Sequence, residues 1–211
     1  RVAAVTAEGD ESTLSDAAEV TLYPSTVRAS VTRPFGSLSD GENYRLVALP
    51  GAVDRSLAST LSGNPGDAWQ AYWDNGSSDN FMVDYDGSDQ FDFRPGRGFW
   101  LLSSTNWTVA ETFPTVSLTD GTTTIPLHDG WNIISNPLDI DVAWSTVDAA
   151  NEGSLQPIWA WNGAYGEVAT FASAREGEAF YFLNNGGLDA LTLPYQPAPS
   201  AADPALTARA P

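Results

Sequence analysis

The apolar positions of this chain come in short runs, aromatic or β-branched, each closed by Gly, Asn, Asp or Pro. Short runs bounded by turn residues predict strands rather than long helices. Asp40-Gly41 opens one such run and Pro50 stops it; Asp129-Gly130 opens another, which ends at Asn136-Pro137. A short helical stretch is expected after each, near residues 55–61 and near residues 142–150, with Asp141 as a candidate N-cap. An aromatic strand and an Asn-Gly turn follow both times: Trp69, Tyr72 and Trp73 before Asn75-Gly76, then Trp159 and Trp161 before Asn162-Gly163. Asn-Gly is a hairpin signal because both residues tolerate positive φ.

These blocks recur in the same order, at a spacing of about 81–88 residues, which reads as an internal duplication. Tyr44 aligns with Trp131 and Pro50 with Pro137. The run Gly96-Arg97-Gly98-Phe99-Trp100-Leu101-Leu102 aligns with Gly177-Glu178-Ala179-Phe180-Tyr181-Phe182-Leu183. Each copy closes on a polar turn and one more strand, near residues 107–109 and 190–193. The expected fold is all-β, a sandwich or barrel-like arrangement, with two tandem pseudo-repeats and one short helix per repeat. Repeat 1 spans about 35–112 and repeat 2 about 115–195, within a module of residues 25–195.

Composition narrows the function. There are 27 acidic residues, 18 Asp and 9 Glu, against nine cations that are all Arg, giving a net charge of −18. Such a chain lacks the basic patches that nucleic acid or an anionic membrane requires. With no Cys, disulfides, thiolate metal sites and cysteine nucleophiles are excluded. No run of about 18 apolar residues exists to span a membrane. No signal peptide is visible and residue 1 is Arg, so the chain reads as a mature or cut piece of something longer. The Asp-rich, Lys-free surface fits a high-salt environment, where screening relieves repulsion between carboxylates. The alternative is an ordinary acidic secreted protein.

The block Gly130-Trp131-Asn132-Ile133-Ile134-Ser135-Asn136-Pro137, with the aromatic Asn-Gly strand and the Gly-x-x-Phe-Tyr strand after it, resembles the "GWNLISNP"-type β repeat. That repeat occurs near the C-termini of secreted or surface proteins of gliding-type Gram-negative bacteria, often type IX secretion cargo. The resemblance covers about residues 35–195, and the first copy departs from it at Tyr44-Arg45. It implies an accessory extracellular module and brings no catalytic residues. Residues 1–24, with Val2, Val5, Val20 and Leu22 alternating, resemble the last two strands of a fibronectin type III domain. A lone hairpin of this kind is marginal in water, so it is expected to pair with a sheet edge. Residues 196–211, rich in Ala and Pro, read as a linker or an extended arm.

Several residues are candidates for chemistry. Seven Asp and no cation lie between Arg55 and Arg94. Within that stretch Asp84, Asp86 and Asp89, with Gly87 to bend the chain, are candidates for a calcium loop: Asp84 and Asp86 alternate, but the third alternating ligand and the distal Glu of an EF-hand loop are missing, and the plainer reading is a solvated acidic hairpin tip. Trp107, in the polar company of Ser103, Ser104, Thr105 and Asn106, is the expected exposed aromatic for stacking a sugar ring, followed by Trp73 and Tyr165 near turns. Trp69, Trp73, Trp159 and Trp161 are expected mainly in the core, since both copies need them. His128 sits at a turn with no nucleophile motif near it in sequence. Glu176 and Glu178 flank Gly177 too closely to straddle a glycosidic bond. The expectation is a non-catalytic extracellular structural or adhesion module of a larger secreted or cell-surface protein. Its partners would be neighbouring domains or a second copy, engaged by strand addition. The alternative is a carbohydrate-binding module, with polysaccharide as partner, appended to a glycan-active enzyme.

Overall fold

A computed structural model describes residues 22–198 of the chain. All of the proposed fibronectin-like hairpin but residues 22–24, and most of the Ala/Pro-rich segment, lie outside these residues. Among the described residues the first half carries eight strands: β1 (Thr26–Arg33), β2 (Arg45–Val47), β3 (Arg55–Ser56), β4 (Trp69–Asp74), β5 (Met82–Asp84), β6 (Asp92–Phe93), β7 (Phe99–Ser103) and β8 (Trp107–Pro114). The second half carries β9 (Thr122–Pro126), β10 (Gly130–Ile134), β11 (Val142–Ala143), β12 (Ile158–Trp161), β13 (Tyr165–Val168), β14 (Thr170–Phe171), β15 (Phe180–Asn184) and β16 (Ala190–Pro194). The fold is all-β, and every paired strand is antiparallel.

Two four-stranded sheets form the centre, ordered β2-β7-β4-β5 and β10-β15-β12-β13. In each, the first strand along the chain pairs with the last, and the middle two form a hairpin beside them. Two-stranded ribbons, β1-β8 and β9-β16, accompany the first and second sheets. The ribbons follow from period-two alternation. Val27, Ala29 and Val31 of β1 point inward with Trp107, Val109 and Phe113 of β8, while the residues between them face solvent.

The central strands bury both faces, and alternation sorts their side chains into separate cores. Val47, Trp69, Ala71, Phe99 and Leu101 pack under the β1-β8 ribbon. Ile134, Ile158, Phe180 and Phe182 pack with Leu191 and Leu193 of β16 and with the helix α1 (Trp144–Ala150). The opposite faces carry Leu46, Ala48, Trp100, Ile133, Ala179 and Tyr181, which form a third cluster joining the two sheets. Main-chain hydrogen bonds seal this junction: Ala48 N–H to Gly177 O, Gly51 N–H to Pro137 O, Gly98 N–H to Ile133 O and Ser135 N–H to Gly96 O.

Several local expectations change. Among the described residues only the second half has an α-helix; the stretch near residues 55–61 is a single 3-10 turn, Leu57–Thr60, which buries just Leu57. Asp141 does not cap α1. The helix begins three residues later, after Ala143, and the Asp141 carboxylate instead accepts the Ser173 N–H at 2.8 Å. Asn75-Gly76 opens a long loop between β4 and β5 rather than closing a two-residue turn. Asp74 Oδ1 takes the Gly76 N–H, and Gly76 (φ +71°) runs against the second half, where a Cβ would lie 2.1 Å from the Asp129 carbonyl oxygen. Beyond β16, Ala198 N–H bonds to Asp141 O, so the start of the Ala/Pro-rich stretch lies along the body.

Candidate functional site

The third cluster does not close completely, and its open side is an aromatic cleft. Its larger part encloses about 700 Å³ and is walled by Phe81, Trp131, Trp159, Tyr165 and Tyr181, with Asp74 and Gly76 toward its base. Phe81, Tyr165 and Tyr181 continue into a second recess of about 470 Å³ beside Tyr44, Tyr72 and Trp100. This size suits a small ligand, whose typical pocket is roughly 300–1,000 Å³. The sheets supply the walls in a simple way. β10 alternates Trp131 and Ile133 toward the junction with Asn132 and Ile134 away from it, and β7 does the same with Trp100. Residues aligned in the sequence, Tyr44 with Trp131 and Trp100 with Tyr181, thus reach one cleft from the two sheets.

The large hydrophobic side chains exposed among the described residues are Leu22, Phe81, Trp131 and Tyr165. The last three, at 47 %, 42 % and 52 % exposure, all line this cleft. The rings are held at steep mutual angles: 74° between Trp131 and Tyr181, 86° between Tyr165 and Tyr181, and 66° between Trp161 and Tyr165. They form a box rather than a flat platform.

At the base, the Tyr181 hydroxyl donates to Asp74 Oδ2 at 2.8 Å and accepts the Trp100 indole N–H at 3.1 Å. Asp74 is 1 % exposed. Its other oxygen holds the Gly76 N–H at 2.9 Å, and among the described residues no cationic side chain pairs with it. Burial pushes the Tyr181 phenol well above its usual range, and the hydrogen bond to Asp74 and that residue's charge push it further. Tyr165 is raised by burial and then by the Asp74 charge, and Tyr44 by burial and then by its hydroxyl contact with Tyr72. These hydroxyls therefore stay neutral donors across the ordinary pH range.

Of the three aromatics singled out in the sequence, Tyr165 lies in the cleft. Trp107 does not: it is 1 % exposed, stacks on Phe93 at 5.7 Å and donates its indole N–H to Thr60 Oγ1 at 2.9 Å. Of its polar neighbours in sequence, Ser103 is buried at the end of β7, residues 104–106 sit in the turn, and Thr108 faces the other way on β8. Trp73 shares the face of Trp69, turned from the cleft, and is engaged by the Arg97 guanidinium 5.8 Å from its ring centre and by His128 edge-on. Trp159 and Trp161 are half-buried cleft-side residues rather than full core.

The calcium candidates are not gathered. Asp86 folds back on the Ser88 N–H at 2.9 Å, Asp89 faces Arg94 at 3.5 Å, and Asp84 ends β5. Among the described residues, no group of three or more His, Asp or Glu is placed to hold a metal ion. The exposed Asp86 carboxylate is lowered by its hydrogen bonds to Ser88, as a self-capped turn requires.

His128 is a clamp between halves: Nε2 lies 3.0 Å from the Asp74 carbonyl oxygen and Nδ1 2.9 Å from that of Asp129. Glu178 pairs with Arg33 at 3.5 Å, and the Glu176 carbonyl accepts the Arg33 Nε–H. The asparagines of the Gly130–Pro137 block are internal staples. Asn132 ties the His128 turn, and Asn136 donates to the carbonyls of Ile140 and Phe171. Sequence reasoning missed Asp74, Phe81, Trp131 and Tyr181 as site residues; the one signal for Trp131 was its alignment with Tyr44. Compared with known proteins, the chain matches no family model, no curated protein and no solved structure.

Proposed function

We propose that this chain is a non-catalytic binding module of a larger extracellular or cell-surface protein, and that it captures a small ligand in the cleft between its two central sheets. The observation that carries the reading is the convergence of Phe81, Trp131 and Tyr165 on one cavity of about 700 Å³. Exposed aromatics scattered singly need no explanation, but three that wall one cavity do. A non-catalytic role is supported by the occupations of His128 and Glu178, whose side chains are spent on holding the fold together. The extracellular setting rests on the resemblance of the Gly130–Pro137 block. Among the described residues, no helix is long and apolar enough to cross a membrane.

A flat pyranose platform needs coplanar rings, and the steep ring angles here favour a compact group enclosed from several sides. The test is a screen of the full chain against a glycan array and a small-ligand panel by thermal shift. A stabilising ligand whose effect disappears in Trp131→Ala is the expected result. An absence of any stabilising ligand would overturn the reading. A structural role by strand addition has one specific support. β13 lies at a sheet edge, and three of its four residues are exposed. Concentration-dependent association in sedimentation, unaffected by Trp131→Ala, would favour it.

A further inference from the structure

We propose that the cleft is a site for an organic cation, the methylated ammonium head of a small ligand. This deepens the binding reading above and rests on it. The first argument is the shape of the box. Trp131, Tyr165 and Tyr181 meet at 74° and 86°, so a group placed among them is approached by rings from different directions. Aromatic faces carry negative potential and attract a cation within about 6 Å of the ring centre. A methylated ammonium is compact and weakly hydrated, so it enters an apolar cavity at lower desolvation cost than a primary ammonium, which water holds strongly.

Charge supplies the second argument. Asp74 lines the cleft at the hydroxyl end of Tyr181, 1 % exposed, with one hydrogen bond to each oxygen and no ion pair among the described residues. A carboxylate offers about four acceptor positions, so this one is incompletely satisfied. A buried charge without a counter-charge is costly, and a ligand that brings the positive charge removes that cost. By donating to Asp74, the Tyr181 hydroxyl also fixes its ring as one wall of the box.

The third argument is what the walls lack. None of the residues lining either part of the cleft is Arg or His, so an anionic ligand would meet Asp74 with nothing to offset it. Beyond the tyrosine hydroxyls, the polar side chains of the larger part are Asp74, Ser77 and Ser78, too few to replace the water lost by a sugar's many hydroxyls. The net charge of −18 further concentrates cations near the surface.

The experiment titrates the full chain with choline, with its uncharged isostere 3,3-dimethylbutan-1-ol and with methyl glucoside, read by tryptophan fluorescence and calorimetry. Choline is expected to bind at least tenfold more tightly than the isostere, a difference of about 1.4 kcal/mol. Asp74→Asn should erase that preference. Because Asp74 is buried and its replacement risks the fold, Trp131→Ala at the cleft mouth is the second variant. It should weaken choline tenfold or more with an unchanged unfolding midpoint. Equal binding of choline and the isostere would overturn the cation inference and leave the binding reading standing. Binding of the glucoside in preference to choline would do the same and return the cleft to carbohydrate. Failure of all three probes and of the wider ligand screen would overturn both.

Discussion

Tyr181→Phe removes one oxygen atom from the junction of the two sheets, and the structure gives its cost. The hydroxyl is the partner of Asp74 Oδ2 and of the Trp100 indole N–H. Without it, two buried polar groups on the first half lose the bond that ties them to the second. A buried group stripped of its partner costs about 1–3 kcal/mol, more if charged, so the pair should cost about 3–5 kcal/mol. The assay is urea unfolding followed by tryptophan fluorescence, with the midpoint expected to fall at constant slope. Tyr165→Phe is the control: its hydroxyl has no hydrogen-bond partner among the described residues, so it should stay within about 0.5 kcal/mol of the parent. In a cycle with Trp100→Phe, the double variant should lose less than the sum of the singles, because the orphaned indole N–H has gone with its partner. The expected coupling is about 0.5–3 kcal/mol. A Tyr181→Phe effect below about 1 kcal/mol would show that water replaces the hydroxyl and that the Asp74–Tyr181–Trp100 chain does not hold the halves together.

Trp107→Ala should cost about 3–5 kcal/mol, as for other buried tryptophans, and this deep loss in denaturant unfolding checks its place beneath the β1-β8 ribbon. Raised tyrosines set a pH limit. Burial lifts Tyr181 and Tyr44, and burial with Asp139 lifts Tyr195 to about 12, so the folded chain keeps protons that the unfolded chain releases near pH 10. Their contribution is therefore complete below about pH 10 and is lost as pH climbs through the folded values. The urea midpoint should fall between about pH 9 and about pH 11, and tyrosinate absorbance should rise together with unfolding. With a net charge of −18, the melting temperature should rise from dilute buffer to molar NaCl, and an unchanged or lower value would count against high-salt adaptation.

The class of the fold was legible because the strands are short, aromatic and punctuated by Gly, Asn and Pro, a pattern that local sequence carries fully. The burial of Trp107 was legible in principle too. Trp107, Val109 and Phe113 share one parity on β8, and that periodicity outweighs the polar residues before it. The cleft was not legible. Trp131 looks like a core residue in its own strand, and it is exposed only because the facing sheet leaves a gap beside Tyr181 and Tyr165. Asp74 likewise reads as one more carboxylate of an acidic stretch, until a tyrosine 107 residues later is seen bonded to it. Properties made where two sheets meet have no signature in either one.

That junction also sets a schedule for synthesis. The first half emerges with Leu46, Ala48 and Trp100 uncovered, and Tyr181, which caps Trp100, follows 81 residues later. At about 5–20 residues per second the apolar face waits roughly 4–16 s for its cover. Over that interval the nascent chain presents a sheet surface to any neighbouring nascent chain with the same half exposed. Expression yield should therefore respond to elongation rate and to chaperones more than the stability of the finished protein would suggest.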